Sequence, residues 1–252
     1  MNHFFVEESQ VRGSEIIIEG TDVNHIKNVL RMRTGEEIMV SNGTDKHYIC
    51  SITDISSEQV VARIIDIDSN SSELPVKLYL FQGLPKADKM ELIIQKAVEL
   101  GVFQIIPVAM KRSVVKLDAK KEKNKLARWQ QIAESAAKQS KRMIIPEIHG
   151  VMNFKEAVAY AKSLDYNIVP YEFANGMAKS KEVVKSLGQY KSVGIFIGPD
   201  GGFEEEEIDF GKQEGMQIIS LGKRILRTET AGLTALSIIM FELEQDEVTV
   251  QP

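Results

Sequence analysis

The sequence predicts an α/β protein in two parts: a small β-rich module, then a larger domain built on a parallel sheet. Three observations carry this. Short β-like runs separated by turn residues fill the first 70 positions. A polar stretch, Asp68-Ser-Asn-Ser-Ser-Glu-Leu-Pro75, interrupts the pattern. Beyond it, apolar strand-like runs alternate with helical periodicity, as in a parallel sheet covered by helices. The expected domains are residues 1–70 and 75–248.

In the first module, Ser14–Glu19 is the earliest strand, and a short helix fits Asp22–Leu30 with Ile26, Val29 and Leu30 on one face. Glu37–Val40 leads through Ser41-Asn42-Gly43 into His47–Ile52. Asn-Gly tolerates the left-handed backbone of a tight hairpin. Val60–Ile67 adds a further strand, and the set suggests a small barrel. The second domain opens with the strand Val76–Phe81. Asp88, with Glu91 three residues on, has the pattern of a reciprocal helix cap. Met90, Ile93, Ile94, Ala97 and Val98 follow at helical spacing until Gly101 ends the helix. Val102–Val108 is the next strand, and a helix from about Lys123 to Ser140 turns Leu126, Trp129, Ala133 and Ala136 inward. Strands at Asn167–Pro170, Val193–Ile197 and Gln217–Leu221 alternate with helices near 154–163, 178–187, 204–213 and 228–244.

The composition, 43% hydrophobic and 27% charged, is that of an ordinary soluble chain. No apolar run suits a bilayer and MNHFFVEESQ is not a signal peptide, so the cytoplasm is the expected address, with no membrane partner. The single cysteine, Cys50, excludes an internal disulfide and a cysteine-based zinc cluster. His3, His25, His47 and His149 lack metal-ligand spacing, so no metal is expected. A net charge of −5 works against nucleic-acid binding. The cations nevertheless gather at Lys86 and Lys89, at Lys111-Arg112 with Lys116, from Lys120 to Arg128, at Lys138 with Lys141-Arg142, and at Lys223-Arg224 with Arg227. A solvated helix face looks the same.

Ligands of open parallel sheets gather at the carboxyl ends of strands. Three such ends are unusual here: Pro170-Tyr171-Glu172, Gly198-Pro199-Asp200-Gly201-Gly202, and the run from Gly222 to Gly232. Glycines let backbone amides approach a ligand closely. Yet Asp200 and the helix-start run Glu204–Glu207 would repel a phosphate, and neither GxGxxG nor GxxxxGK[ST] occurs. A ligand without phosphates that carries positive charge fits, and S-adenosylmethionine is one. The alternative is a plain turn capping a helix. Glu204 to Glu207 themselves read as a solvated helix start. In the third segment Lys223, Arg224 and Arg227 flank Ile225-Leu226, and Thr228 is a candidate N-cap. Leu233, Leu236, Ile239, Met240 and Phe241 make the following helix apolar over much of its circumference, which suits a core or a subunit interface. The alternative there is a surface loop with ordinary cations.

GPDGGF followed by LGKRILRTETAG closely resembles the ribosomal RNA small subunit methyltransferase E family of the SPOUT superfamily, which methylates N3 of a uridine in 16S rRNA. HIKNVLRMRTGEEI, KADKMELIIQKAVELGVFQIIPV and RWQQIAESAAKQSKRMIIPEI are similar to that family's opening and central segments, so the match covers nearly the whole chain. Asp200 stands where the family commonly has Glu. The resemblance implies a PUA-like RNA-binding β-barrel, then a SPOUT-type α/β domain with a deep trefoil knot, a feature too rare to propose from first principles. It also implies a homodimer acting on 16S rRNA of the small ribosomal subunit. The cofactor, S-adenosylmethionine, would lie against Tyr171, Glu172, Ile197, Gly198, Pro199, Asp200, Gly201, Gly202, Leu221, Gly222, Ile225, Leu226, Thr228 and Ala231. Its methyl sulfonium is already activated, so no metal is required. Arg227, with Arg224 second, would stabilise the anion left when N3 loses its proton, since arginine stays protonated and is no base. Glu229 would orient the arginine or help move the proton. His25, Arg31 and Arg33 on the barrel, and Lys86, Arg112, Lys138, Gln139 and Arg142 on the large domain, would hold RNA. Two rivals stand beside this reading: a 2′-O-ribose methyltransferase of the same superfamily and a non-catalytic RNA-binding assembly factor. The missing phosphate fingerprint disfavours an NAD-type dehydrogenase.

Overall fold

The structure, a computed structural model, describes residues 1–44, 46–68, 72–174 and 176–244. The chain forms two compact units. The first holds Met1–Glu73 and also Ala137–Ile145, and the second holds Leu74–Ala136 and the chain from Pro146 onward. Nothing in the local sequence pattern marks that return to the first unit. Residues 245–248 of the expected second domain lie outside the described residues.

The first unit is a six-stranded sheet ordered β1-β4-β5-β6-β3-β2. Its strands are β1 (Asn2–Phe5), β2 (Val11–Arg12), β3 (Glu15–Glu19), β4 (Glu37–Ser41), β5 (His47–Ile55) and β6 (Gln59–Asp68). β1, which the sequence reading passed over, pairs in parallel with β4 and puts Phe4 into the core. In β3 and β4 the period of two buries Ile16 and Ile18, then Ile38 and Val40. The β4–β5 loop turns on Asn42, whose side-chain carbonyl accepts from the Thr44 and Lys46 amides, and on Gly43 at φ 76°. The expected helix is split: α1 (Thr21–Asn24) runs into a π turn over His25–Val29, where the Leu30 amide donates to the His25 carbonyl at 2.8 Å.

The returning segment is bound to this unit by charge. Lys138 Nζ sits 3.0 and 3.1 Å from the Asp22 carboxylate oxygens. Arg142, 3% exposed, directs Nε to both oxygens of Glu73 at 2.9 and 3.0 Å, while the Met143 amide donates to Glu73 Oε1. Nearby, Ser41 Oγ lies 2.6 Å from His3 Nε2 and 2.5 Å from His47 Nδ1, and all three side chains are buried. Burial, then the neighbouring His47, pulls the His3 pKa down to about 4.

The second unit carries a seven-stranded, all-parallel sheet ordered β10-β8-β7-β12-β11-β13, with β9 also on β8. The strands are β7 (Lys77–Gly83), β8 (Gln104–Ala109), β9 (Glu147–Ile148), β10 (Met152–Asn153), β11 (Tyr166–Pro170), β12 (Ser192–Ile197) and β13 (Gln217–Ile219). The helices are α2 (Lys89–Glu99), α3 (Ala119–Ser140), α4 (Phe154–Ala161), α5 (Met177–Ser186), α6 (Glu205–Gln213) and α7 (Thr228–Leu243). The central pair β7–β12 is largely apolar and buried, and Phe81 stacks on Phe196 with ring centroids 4.2 Å apart. Gly101 ends α2 at φ 85° as its sequence position predicts. The expected cap at the other end does not form: the Asp88 side chain makes no capping bond and pairs with Lys125 instead, while Glu91 pairs with Arg128.

Candidate functional site

The carboxyl ends of β11, β12 and β13 converge on one cavity of about 420 Å³. The Tyr171 amide donates to the Ile219 carbonyl at 3.0 Å, which ties the loop after β11 to the end of β13. In the loop after β12, the Gly202 amide closes a turn onto the Pro199 carbonyl at 2.9 Å, with Gly202 at φ 71°. The loop after β13 passes Gly222, at φ 119°, and delivers Arg224 to Arg227 to the cavity wall.

Every residue expected against the cofactor lines this cavity: Tyr171, Glu172, Ile197 to Gly202, Leu221, Gly222, Ile225, Leu226, Thr228 and Ala231. Arg224 and Arg227 line it too, together with Pro170 and Phe203. Glu229 is not among the lining residues. It sits in the first turn of α7, with Lys89 Nζ 3.1 Å from its Oε2.

Three local readings need correction. Thr228 is the first helical residue, and Arg227, at φ −63° and ψ 154°, is the N-cap. The Thr228 hydroxyl instead donates to the Gly198 carbonyl at 2.6 Å and accepts from Gln82 Nε2 at 2.8 Å, which fastens α7 to the ends of β12 and β7. Gln82 is fully buried and went unnoticed; a lone amide closing the apolar strand Lys77–Gly83 was its signal. Second, the Glu204–Glu207 run is only partly a solvated helix start. Glu205 and Glu206 are exposed, but Glu207 is buried and accepts the amides of Glu204 and Lys111. Glu204 is bound by Arg112, which holds its carboxyl below the usual range. The N-terminus of α6 is thus closed by its own carboxylates. Third, Asp200 spends both oxygens on the protein, Oδ2 on the Lys86 amide at 2.8 Å and Oδ1 on Lys89 at 2.5 Å. Burial raises its pKa, but these donors outweigh that and leave it lowered.

The residues expected to hold RNA fare unequally. His25, Arg31, Arg33, Lys86 and Gln139 are exposed. Lys138, Gln139 and Arg142 belong to the first unit, not the large domain. Arg142, expected to hold RNA, is instead buried on Glu73 and does not face solvent. Arg112 donates to the Gly201 carbonyl and pairs with Glu204, so it braces the loop after β12. Among the described residues, no three His, Cys, Asp or Glu are placed to hold a metal, and no helix is long and apolar enough to cross a membrane.

The fold, a small β module followed by a parallel sheet with a cavity at its strand ends, matches a class: RNA methyltransferases with a PUA domain. Residues 72–240 match the RNA methyltransferase domain and residues 18–65 the RNA methyltransferase PUA domain. The chain belongs to the ribosomal RNA small subunit methyltransferase E family. It is 38% identical to the member from Bacillus subtilis over 97% of this chain and 98% of that one. Among solved structures, the family member from Neisseria gonorrhoeae bound to S-adenosyl methionine aligns with a TM-score of 0.81 at 31% identity, covering 96% of this chain and 97% of that one. A Legionella pneumophila putative methyltransferase in complex with the same cofactor aligns at 0.82 and 32%, covering 95% and 96%.

Proposed function

We propose that this protein transfers the methyl group of S-adenosylmethionine to N3 of a specific uridine in 16S rRNA of the small ribosomal subunit, acting as a cytoplasmic homodimer. The observation that carries the reading is the convergence of Arg224 and Arg227 on a cavity whose neighbouring helix N-terminus is sealed by carboxylates. A nucleoside cofactor without phosphates suits that cavity in size and charge. Glycine at 198 lets the lining loop close on itself, since a Cβ there would lie 3.1 Å from Gly202 and Phe203. The relatives bound to this cofactor support the same choice.

When bound, the cofactor supplies a methyl group activated as a sulfonium. The chain's part is to prepare the acceptor. Uridine N3 carries a proton at neutral pH, and its loss spreads negative charge onto the flanking carbonyl oxygens. Arg227, fixed as the cap of α7, stabilises that charge, and Arg224 flanks it across Ile225 and Leu226. Removal of such a donor costs about 10²–10³ in turnover. Glu229 acts on the same turn through its ion pair with Lys89. The base leaves its RNA context to reach the cavity, and the exposed His25, Arg31 and Arg33 of the PUA-like unit are candidate RNA contacts of that unit. The C-terminal third would be threaded as the deep trefoil knot that the family resemblance implies, with the loops after β12 and β13 brought together at the cavity. Exposed Leu92, Ile238 and Phe241, on the mutually packed α2 and α7, support the dimer.

The test is methyl transfer from labelled S-adenosylmethionine to small-subunit RNA or particles, with the modified nucleoside identified by mass spectrometry. N3-methyluridine from the wild type, lost in folded Arg227→Ala, is the expected result. Methyl on a ribose oxygen would reassign the acceptor, and cofactor binding without transfer to RNA or particles would leave a binding factor.

A further inference from the structure

Asp200 and Glu229 lie on separate segments, one in the loop after β12 and the other in the first turn of α7. A single side chain reaches both. Lys89, the first residue of α2, places Nζ 2.5 Å from Asp200 Oδ1 and 3.1 Å from Glu229 Oε2. The side chains of Asp200 and Glu229 are only 14% and 22% exposed, so water screens their mutual repulsion poorly and the ammonium between them must offset it. The approach of this segment is itself forced. Ala87 sits at φ 54°, a left-handed conformation that a non-glycine residue keeps only where its surroundings impose it. On either side of it, the Lys86 amide and the Lys89 ammonium both bind Asp200.

Lys89 is absent from the cavity lining, whereas Asp200 is part of it. Two residues before Glu229 stands Arg227, which also lines the cavity. We infer that Lys89 is a positioning residue that couples the cofactor loop to the turn carrying Arg227, so that an occupied cofactor loop and a correctly placed arginine stabilise each other; this rests on the function proposed above. The coupling is reciprocal, as any such linkage must be. A perturbation at Glu229, outside the cavity, is therefore felt as a change in cofactor affinity, and the change passes through Lys89.

The experiment measures the Kd of S-adenosylmethionine by titration calorimetry for the full chain with Lys89 or Lys89→Met, each with Glu229 or Glu229→Gln, and adds Lys89→Arg. With Lys89 present, Glu229→Gln is expected to weaken binding by about fivefold or more, the low end of coupling between linked sites. In the Lys89→Met background the same change is expected to fall within about twofold, the range of independent sites. Lys89→Arg keeps the charge and restores the sensitivity to Glu229. An unchanged Kd for Glu229→Gln in the protein with Lys89, or the same loss in both backgrounds, overturns the inference. Should Lys89→Met fail to fold, the response of Glu229→Gln alone and its persistence with Lys89→Arg decide the matter. A wild type that does not bind S-adenosylmethionine at all overturns the proposed function instead.

Discussion

A methyl group added at Gly83 would have nowhere to go. This residue ends β7, and a Cβ built on it would lie 2.5 Å from the Pro199 nitrogen, 2.8 Å from Pro199 Cδ and 2.9 Å from the Gly198 carbonyl carbon. The obstacles are backbone and a proline ring, so no flexible side chain can yield. Restoring an ordinary 3.4 Å contact requires the Gly198–Pro199 segment to retreat by about 0.9 Å. That segment lines the cofactor cavity, and the Gly198 carbonyl accepts the Thr228 hydroxyl that anchors α7. Overpacking of this kind costs about 1–3 kcal/mol, which lowers Tm by roughly 2–12 °C for a unit of this size. A displacement near 1 Å in catalytic geometry costs up to about a hundredfold in rate. Gly83→Ala is therefore expected to lower both Tm in calorimetry and the affinity for S-adenosylmethionine. Gly188→Ala is the control, because its Cβ would meet only Leu243 Cδ2 at an ordinary 3.6 Å. Gly83→Ala with unchanged Tm and cofactor affinity within about twofold would refute the close packing of the end of β7 against the loop after β12.

Two further outcomes are expected. Arg142→Ala leaves the Glu73 carboxylate without its buried partner and should destabilise the first unit by about 3–5 kcal/mol; a urea midpoint that does not move would return Arg142 to the surface contacts. His3 titrates near 4 in the fold against 6.5 in the unfolded chain, so its neutral form is the favoured one. The stability it contributes is complete above pH 6.5 and is lost as pH falls toward 4. Urea titrations across that window should show stability falling with pH, and a flatter dependence in His3→Phe.

The cofactor cavity was legible because its residues announce themselves locally: glycines and an acidic residue after an apolar strand, arginines before an apolar helix. What those residues do was less legible. Asp200 looked like a group facing a cationic ligand, but Lys86 and Lys89 already occupy it, and no spacing rule relates positions 86–89 to position 200. Thr228 looked like a cap because threonine commonly is one, yet its hydroxyl found the Gly198 carbonyl 30 positions away. Arg142 looked solvent-facing among neighbouring cations, and only the tertiary fold shows Glu73 beside it. β1 escaped notice because four residues are too few for periodicity, and its parallel partner β4 lies more than thirty positions on.

The return of Ala137–Ile145 to the first unit makes gene dissection hazardous. A truncation that ends at Glu73 would encode a sheet deprived of one of its own parts, with Asp22 and Glu73 stripped of Lys138 and Arg142. The complementary fragment would keep α3 whole but leave Lys138 and Arg142 without Asp22 and Glu73. Recombination between relatives would respect this architecture only by exchanging residues 1–73 and 137–145 together, because the small unit is two stretches of sequence but one piece of structure.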